Sequence, residues 1–449
     1  MKETKIYYVA LLFSAAICWS PFKMLAYLLP FLVVGILLIF TRNGLLWKRI
    51  LIWIYIWTFI TSVYGLINPE IQYANAIIAF VTWAGILVLL LIPVYGMQNP
   101  LLLHKAKKLA WVILFLESLW GIVQGVYGFT QTGSFDIANG DYVEGTIHPS
   151  LAPERAYSNV MFAINIALLL LFLLPEVWRQ KNLKVIVYGL GVLAFIMASV
   201  VHAILFLIIS GGMAFLLLIS GKQLRSSWMA RISLIFGTIL LLVWVFLPRN
   251  LSTAQNFGLQ FLRREEPKSA SIITALTDMP REYWFMSVVG LGPGQYASRA
   301  GLISTGLYFG GLKNPKRVLY LPNKLTKAQE KYLLPLWQWH ESNPFWGSTQ
   351  KPYFSWLAIY SELGLLGWLV IVVILLLLLK KVKRLPKVYD VEKFVLFAAI
   401  LFIFFLGFQE NNWEVPQAWF SGLLFLKILY ANVVPTHTII QRQTVASKN

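Results

Sequence analysis

The chain holds a single cysteine, Cys18, and five histidines in 449 residues. Cys18 lies in a hydrophobic stretch, so the sequence excludes an intrachain disulfide and a cysteine metal site, and the thiol reads as buried and inert. Charge is scarce as well. Asp, Glu, Lys and Arg make up 13% of the residues and hydrophobic types 58%, with a mean hydropathy of +0.68. A soluble domain carries about 25% charged residues. Half that charge in a chain this long indicates an integral membrane protein. The alternating period of a membrane barrel is missing, and no internal repeat appears, nor any low-complexity tract beyond leucine-rich helices such as 371–379. The expected fold is therefore all-α, because a backbone in lipid must satisfy its own hydrogen bonds.

Acidic residues are the scarcer sign, 19 against 38 Lys and Arg, for a net charge of +19. In a soluble protein this balance suggests nucleic acid. Here Lys and Arg crowd the expected cytoplasmic loops and anchor the helices, so no nucleic-acid partner is expected. The start, Met1-Lys2-Glu3-Thr4-Lys5 before an apolar run, looks like a signal peptide. No small-residue cleavage site follows before Pro21 and Lys23, so it reads as an uncleaved first span.

About twelve apolar segments can be marked: 6–21, 24–40, 50–67, 74–95, 109–129, 156–174, 185–201, 203–220, 232–247, 353–379, 392–408 and 416–433. Every second loop between them is basic, among them those with Lys105, Lys107 and Lys108 and with Lys380, Lys381 and Lys383. The alternate loops are neutral or acidic, with Glu70, then Asp136 and Asp141, then Glu410 and Glu414. Short-loop charge then places both termini in the cytoplasm, as expected for a multi-pass protein of the inner (plasma) membrane. Three parts follow: an N-terminal bundle over 1–247, a long outward loop over 248–352 between the ninth and tenth spans, and a C-terminal bundle with a tail over 353–449. The long loop carries 13 Lys/Arg against 6 Asp/Glu. Long loops translocate largely regardless of charge, and this basicity calls for an anionic partner.

Three elements in or beside the loop stand out. Residues 268–288 fit an amphipathic helix with Arg281 and Trp284 on one face, leading into Gly290-Leu-Gly292-Pro-Gly294. Such a turn can be a tight entry to a helix, or it can offer backbone amides to phosphate oxygens. It is not a Walker loop, since no Gly-Lys-Ser/Thr follows. Next comes Trp337-Gln-Trp339-His340-Glu341 with Trp346, which reads as an interfacial aromatic belt or as a sugar platform with a proton acceptor. The third is Glu362-Leu-Gly364-Leu-Leu-Gly367 at the start of the tenth span. Its glycines permit close helix packing, and its carboxyl must face protein or water. Residues 313–331, rich in Lys and Pro, read as a solvated excursion.

In this order the elements resemble the O-antigen polymerase/ligase superfamily of bacterial envelope glycosyltransferases. Pro153-Glu-Arg155-Ala-Tyr-Ser-Asn159 looks like that family's arginine stretch at a helix start, without its glycine. Where the family often has Ser-Arg-Gly, this chain reads Ser199-Val-Val-His202. Where the family often has His-Asn before the Glu-Gly helix, it reads Lys351-Pro352. The resemblance covers roughly 150–430. It implies a GT-C-like membrane enzyme acting on a polyprenyl-pyrophosphate-linked glycan at the outer leaflet, with no metal or other cofactor. Membrane lipid, a chain-length regulator and a flippase are the further partners it implies. Arg281 and Arg155 would contact pyrophosphate, with Arg299 a further candidate. His340 would be the base, with Glu341 as substitute. Trp337, Trp339 and Trp346 would line the sugar path, Gly292 and Gly294 would shape the site, and Trp284 and Glu362 would complete the substrate contacts. Polymerisation of repeat units is the first expectation, ligation to another acceptor the second. A lipid-linked oligosaccharide transporter and a non-catalytic scaffold are the readings from other classes.

Overall fold

A computed structural model describes residues 2–41, 44–135, 141–153, 157–178, 183–220, 247–306, 314–315, 325–343 and 350–434, with isolated positions 237, 241 and 244. Helices make up the regular structure, with no strand among the described residues. In chain order they are α1 Lys2–Cys18, α2 Leu25–Thr41, α3 Gly44–Ile67, α4 Tyr73–Leu91, α5 Pro100–Thr132, α6 Ser158–Val177, α7 Leu183–Met197 and α8 Val201–Ser220. The long loop contributes α9 Pro248–Arg263, α10 Pro267–Ile273, α11 Met279–Glu282, α12 Met286–Val289, α13 Arg299–Thr305 and α14 Leu334–Ser342. The chain then returns through α15 Ser355–Lys383, α16 Asp390–Leu406 and α17 Pro416–Val433.

Six of these, α3, α4, α5, α6, α8 and α15, are long and apolar enough to cross a membrane. Helices α2 and α7 are apolar but shorter. The apolar segment at 232–247 lies outside the described residues except for four positions. Around α6, 89% of its apolar window is buried against neighbours, while only 6% of the α3 window is. Helix α6 is thus the axis of the bundle, packed by α17, α7, α16 and α5, and α3 lies at the rim with its apolar side chains outward.

The helix expected over 268–288 is broken. It runs through α10, a π-turn over Thr274–Asp278, α11 and α12. Pro280 explains the π-turn: it lacks an N–H and its ring crowds the preceding turn, so the backbone widens just before it. The same pairing recurs at Gln329–Leu333, with Pro335 two residues on. The loop has its own apolar core, in which Met279, Met286, Tyr296, Leu333 and Trp337 meet Trp356 of α15 and Trp413 of the turn between α16 and α17. Trp356 packs four rings around it, with centroids 4.4 Å from Trp368, 4.8 Å from Trp413, 4.9 Å from Phe404 and 5.4 Å from Phe408. Each such pair contributes about 0.5–1.5 kcal/mol beyond area burial, which fixes the wall against which the loop's own apolar residues pack.

Candidate functional site

The glycine turn and the glutamate helix form one unit. Gly364 (φ 66, ψ −165) interrupts α15. A helix end leaves carbonyls without donors, and here the oxygens of Ser361 and Glu362 accept from Leu291 N (2.9 Å) and Gly292 N (2.9 Å). Gly290 (φ 80) carries the turn past this break, and a Cβ on it would overlap the Glu362 carbonyl. A Cβ on Gly364 would overlap the Val288 carbonyl. Only glycine fits either place. Helix α3 holds the turn from its other side, where Tyr64 donates to Val289 O and Asn68 Nδ2 to Leu291 O at 2.8 Å.

The Glu362 carboxyl, 2% exposed, accepts three backbone amides: Gly294 N on Oε2 at 2.6 Å, and Tyr296 N and Ser298 N on Oε1 at 3.0 Å each. Bonds to a carboxylate are about twice as strong as neutral ones. The amides of Gly292 and Gly294, one of whose two readings is contact with phosphate, are thus engaged inside the protein. The glycines of α15, expected to pack helices together, do different work at Gly364, where the helix breaks.

This clamp delivers Arg299 at the first turn of α13. Arg299 is 5% exposed, and its guanidinium lies 5.6 Å from the centre of the Tyr157 ring. Its amide donates to Glu414 Oε2 at 2.9 Å, and Thr82 Oγ1 of α4 donates to the same oxygen at 3.3 Å. Glu414 belongs to the turn Gln409–Glu414 between α16 and α17, whose six residues are all at most 4% exposed. Asn411 Nδ2 donates to Ala297 O at 2.9 Å, and Lys351 pairs with Glu410 at 3.0 Å. Lys268 donates to Gln409 O and lies 5.1 Å from the Phe354 ring. Burial, and then the Glu362 charge, push the Glu414 carboxyl up to about 8 against the pull of Arg299. Burial lowers Lys268 to about 7, opposed by Glu266 and Glu410. The short acidic loop that carries Glu410 and Glu414 is thus buried and forms part of an ionic cluster.

The other expected residues are dispersed. Arg281 is exposed, its guanidinium 4.0 Å from Asp278, and Trp284 is 81% exposed. Trp337 is a core residue, stacked 4.8 Å from Tyr353 and donating to Glu341 Oε1 at 2.6 Å. Trp339 and His340 lie on the outer turns of α14, both at least partly exposed. Arg155 and Trp346 lie outside the described residues. The last part of the expected solvated excursion is packed: Thr326 Oγ1 donates to Gln295 O at 2.8 Å and Gln329 Nε2 to Tyr296 O at 3.0 Å. Some of the loop's basic charge is met internally, Lys327 by Glu70 at 2.6 Å and Lys331 by Glu282 at 2.5 Å.

Buried arginine, aromatic rings and carboxylates in a water-poor setting can hold an anion and move a proton. Comparison with family models, with curated proteins and with solved structures finds no match to this chain.

Proposed function

We propose that the chain is a membrane glycosyltransferase of the O-antigen polymerase/ligase kind. It would join polyprenyl-pyrophosphate-linked repeat units of O-antigen or exopolysaccharide at the outer face of the inner membrane. The twelve-span GT-C-like arrangement, with both termini cytoplasmic, belongs to this reading. The observation that carries it is Arg299: an arginine held at 5% exposure against Tyr157 where the outward loop docks onto the membrane helices. Tyr157 follows Arg155 by two residues in the stretch that resembles the family's arginine motif. The pyrophosphate site is therefore assigned to Arg299 and Arg155, with Arg281 displaced from the role by its exposure. A fixed guanidinium in a low-dielectric setting stabilises the charge that grows on the leaving pyrophosphate.

A broken helix beside a buried carboxyl is also a transporter feature. Here the break lies towards one end of α15, and its carbonyls are taken by Leu291 and Gly292. Carbonyls engaged in this way are not offered to an ion, which favours transfer over transport. Glycan analysis of cells carrying Arg299→Ala tests the reading. A polymerase predicts surface glycan reduced to single repeat units. Long chains retained on the polyprenyl carrier indicate ligation. Unchanged chains at normal protein level refute the assignment.

A further inference from the structure

Two carboxylates of the Gln409–Glu414 turn have different company. Glu410 has its Oε1 met by the Lys351 ammonium at 3.0 Å, which answers its charge although its Oε2 is buried without a hydrogen bond among the described residues. Glu414 spends Oε2 on the Arg299 amide and Thr82, while its Oε1 is buried and accepts no hydrogen bond among the described residues. Leaving a buried acceptor unserved in the interior costs roughly 1–3 kcal/mol. A group kept in that condition beside a buried arginine has the form of an acceptor awaiting a donor from a ligand. Around it stand Arg299 from α13, Glu362 from α15, Tyr27 from α2 and Glu410 from its own turn, with Lys351 and Tyr353 behind Glu410.

Resting on the glycosyl-transfer reading of the same site, we propose that Glu414, rather than His340 or Glu341, is the base that takes the proton of the acceptor hydroxyl. The step balances without a further reactant. The acceptor O–H proton passes to Glu414 Oε1 as the acceptor oxygen bonds to the anomeric carbon. The bond from that carbon to pyrophosphate breaks, and its electron pair leaves on the phosphate oxygen, where Arg299 meets the charge. Glu414 then returns its proton to solvent. A carboxyl raised to about 8 is matched to such a transfer near neutral pH.

The test uses the full chain in proteoliposomes, with lipid-linked oligosaccharide extracted from the host's own membranes. Released polyprenyl pyrophosphate is measured between pH 6 and about 9.5, a range set to bracket the shifted carboxyl. Wild-type transfer should climb through about pH 8 and level off. Glu414→Gln keeps an oxygen for the Arg299 amide but cannot accept a proton, so transfer should fall about 10²–10⁴-fold and lose its rise with pH. Glu414→Asp should be slower but keep the rise. Glu414→Gln within threefold of wild type (about 0.65 kcal/mol) and with the same profile would overturn the base while leaving the transferase reading intact. So would a pH-independent Glu414→Asp. No transfer by the wild type at any pH overturns both.

Discussion

Replacing Glu362 with alanine removes one acceptor group that serves three buried amides, those of Gly294, Tyr296 and Ser298. Each orphaned N–H costs about 1–3 kcal/mol, and the three share one short segment, so the costs do not simply add. Even the smallest single loss opens the segment about fivefold more often, and 3 kcal/mol does so about a hundredfold. Glutamine differs usefully. Its oxygen can still serve Tyr296 and Ser298, but its NH₂ then faces the Gly294 N–H, donor against donor. Hydrogen–deuterium exchange of a peptide covering 290–299, in detergent micelles, reads this directly. Exchange should rank Glu362→Ala fastest, Glu362→Gln intermediate and wild type slowest. Equal exchange in wild type and the alanine variant would show that the carboxylate does not hold this segment, and the account of how Arg299 is placed would fail with it.

Gly364→Ala should cost at least about 1–3 kcal/mol of backbone strain plus the overlap with Val288, seen as a lowered melting temperature. Gly35→Ala is the control, because a Cβ there meets nothing within 4 Å and helix propensity improves by about 0.5–1 kcal/mol; an equal loss in both variants would contradict the broken-helix account. Lys268, lowered to about 7 in the fold against about 10.4 when unfolded, binds fewer protons folded than unfolded between those values. Wild type should therefore gain stability relative to Lys268→Met as pH rises through that window, and a flat difference in melting temperature would contradict its burial.

The helical class and the main apolar segments were legible in the sequence because hydropathy alone sets them. Gly290–Gly294 and Glu362 were each visible as unusual. Their union was not, because nothing local encodes that a carboxyl will meet an amide 68 residues away. Arg281 drew attention through its neighbour Trp284, yet both lie at a surface made by the helix end at Glu282. Arg299, between small residues, gave little local signal, and its burial depends on packing of α13 against α4. The turn Gln409–Glu414 reads as an ordinary short loop, a class that runs over protein surfaces. The available hint was a run of polar residues with two acids four apart between apolar helices, a costly arrangement unless something covers it.

We propose that this chain moves glycan from a pyrophosphate carrier with Arg299 at the leaving group. Purified wild type and Arg299→Ala, reconstituted with host lipid-linked oligosaccharide, test it by product analysis. Longer carrier-linked glycan and free polyprenyl pyrophosphate are expected with the wild type, and at least about 100-fold less of each with the variant. Wild-type liposomes that release no polyprenyl pyrophosphate, or a variant that matches them, would contradict it.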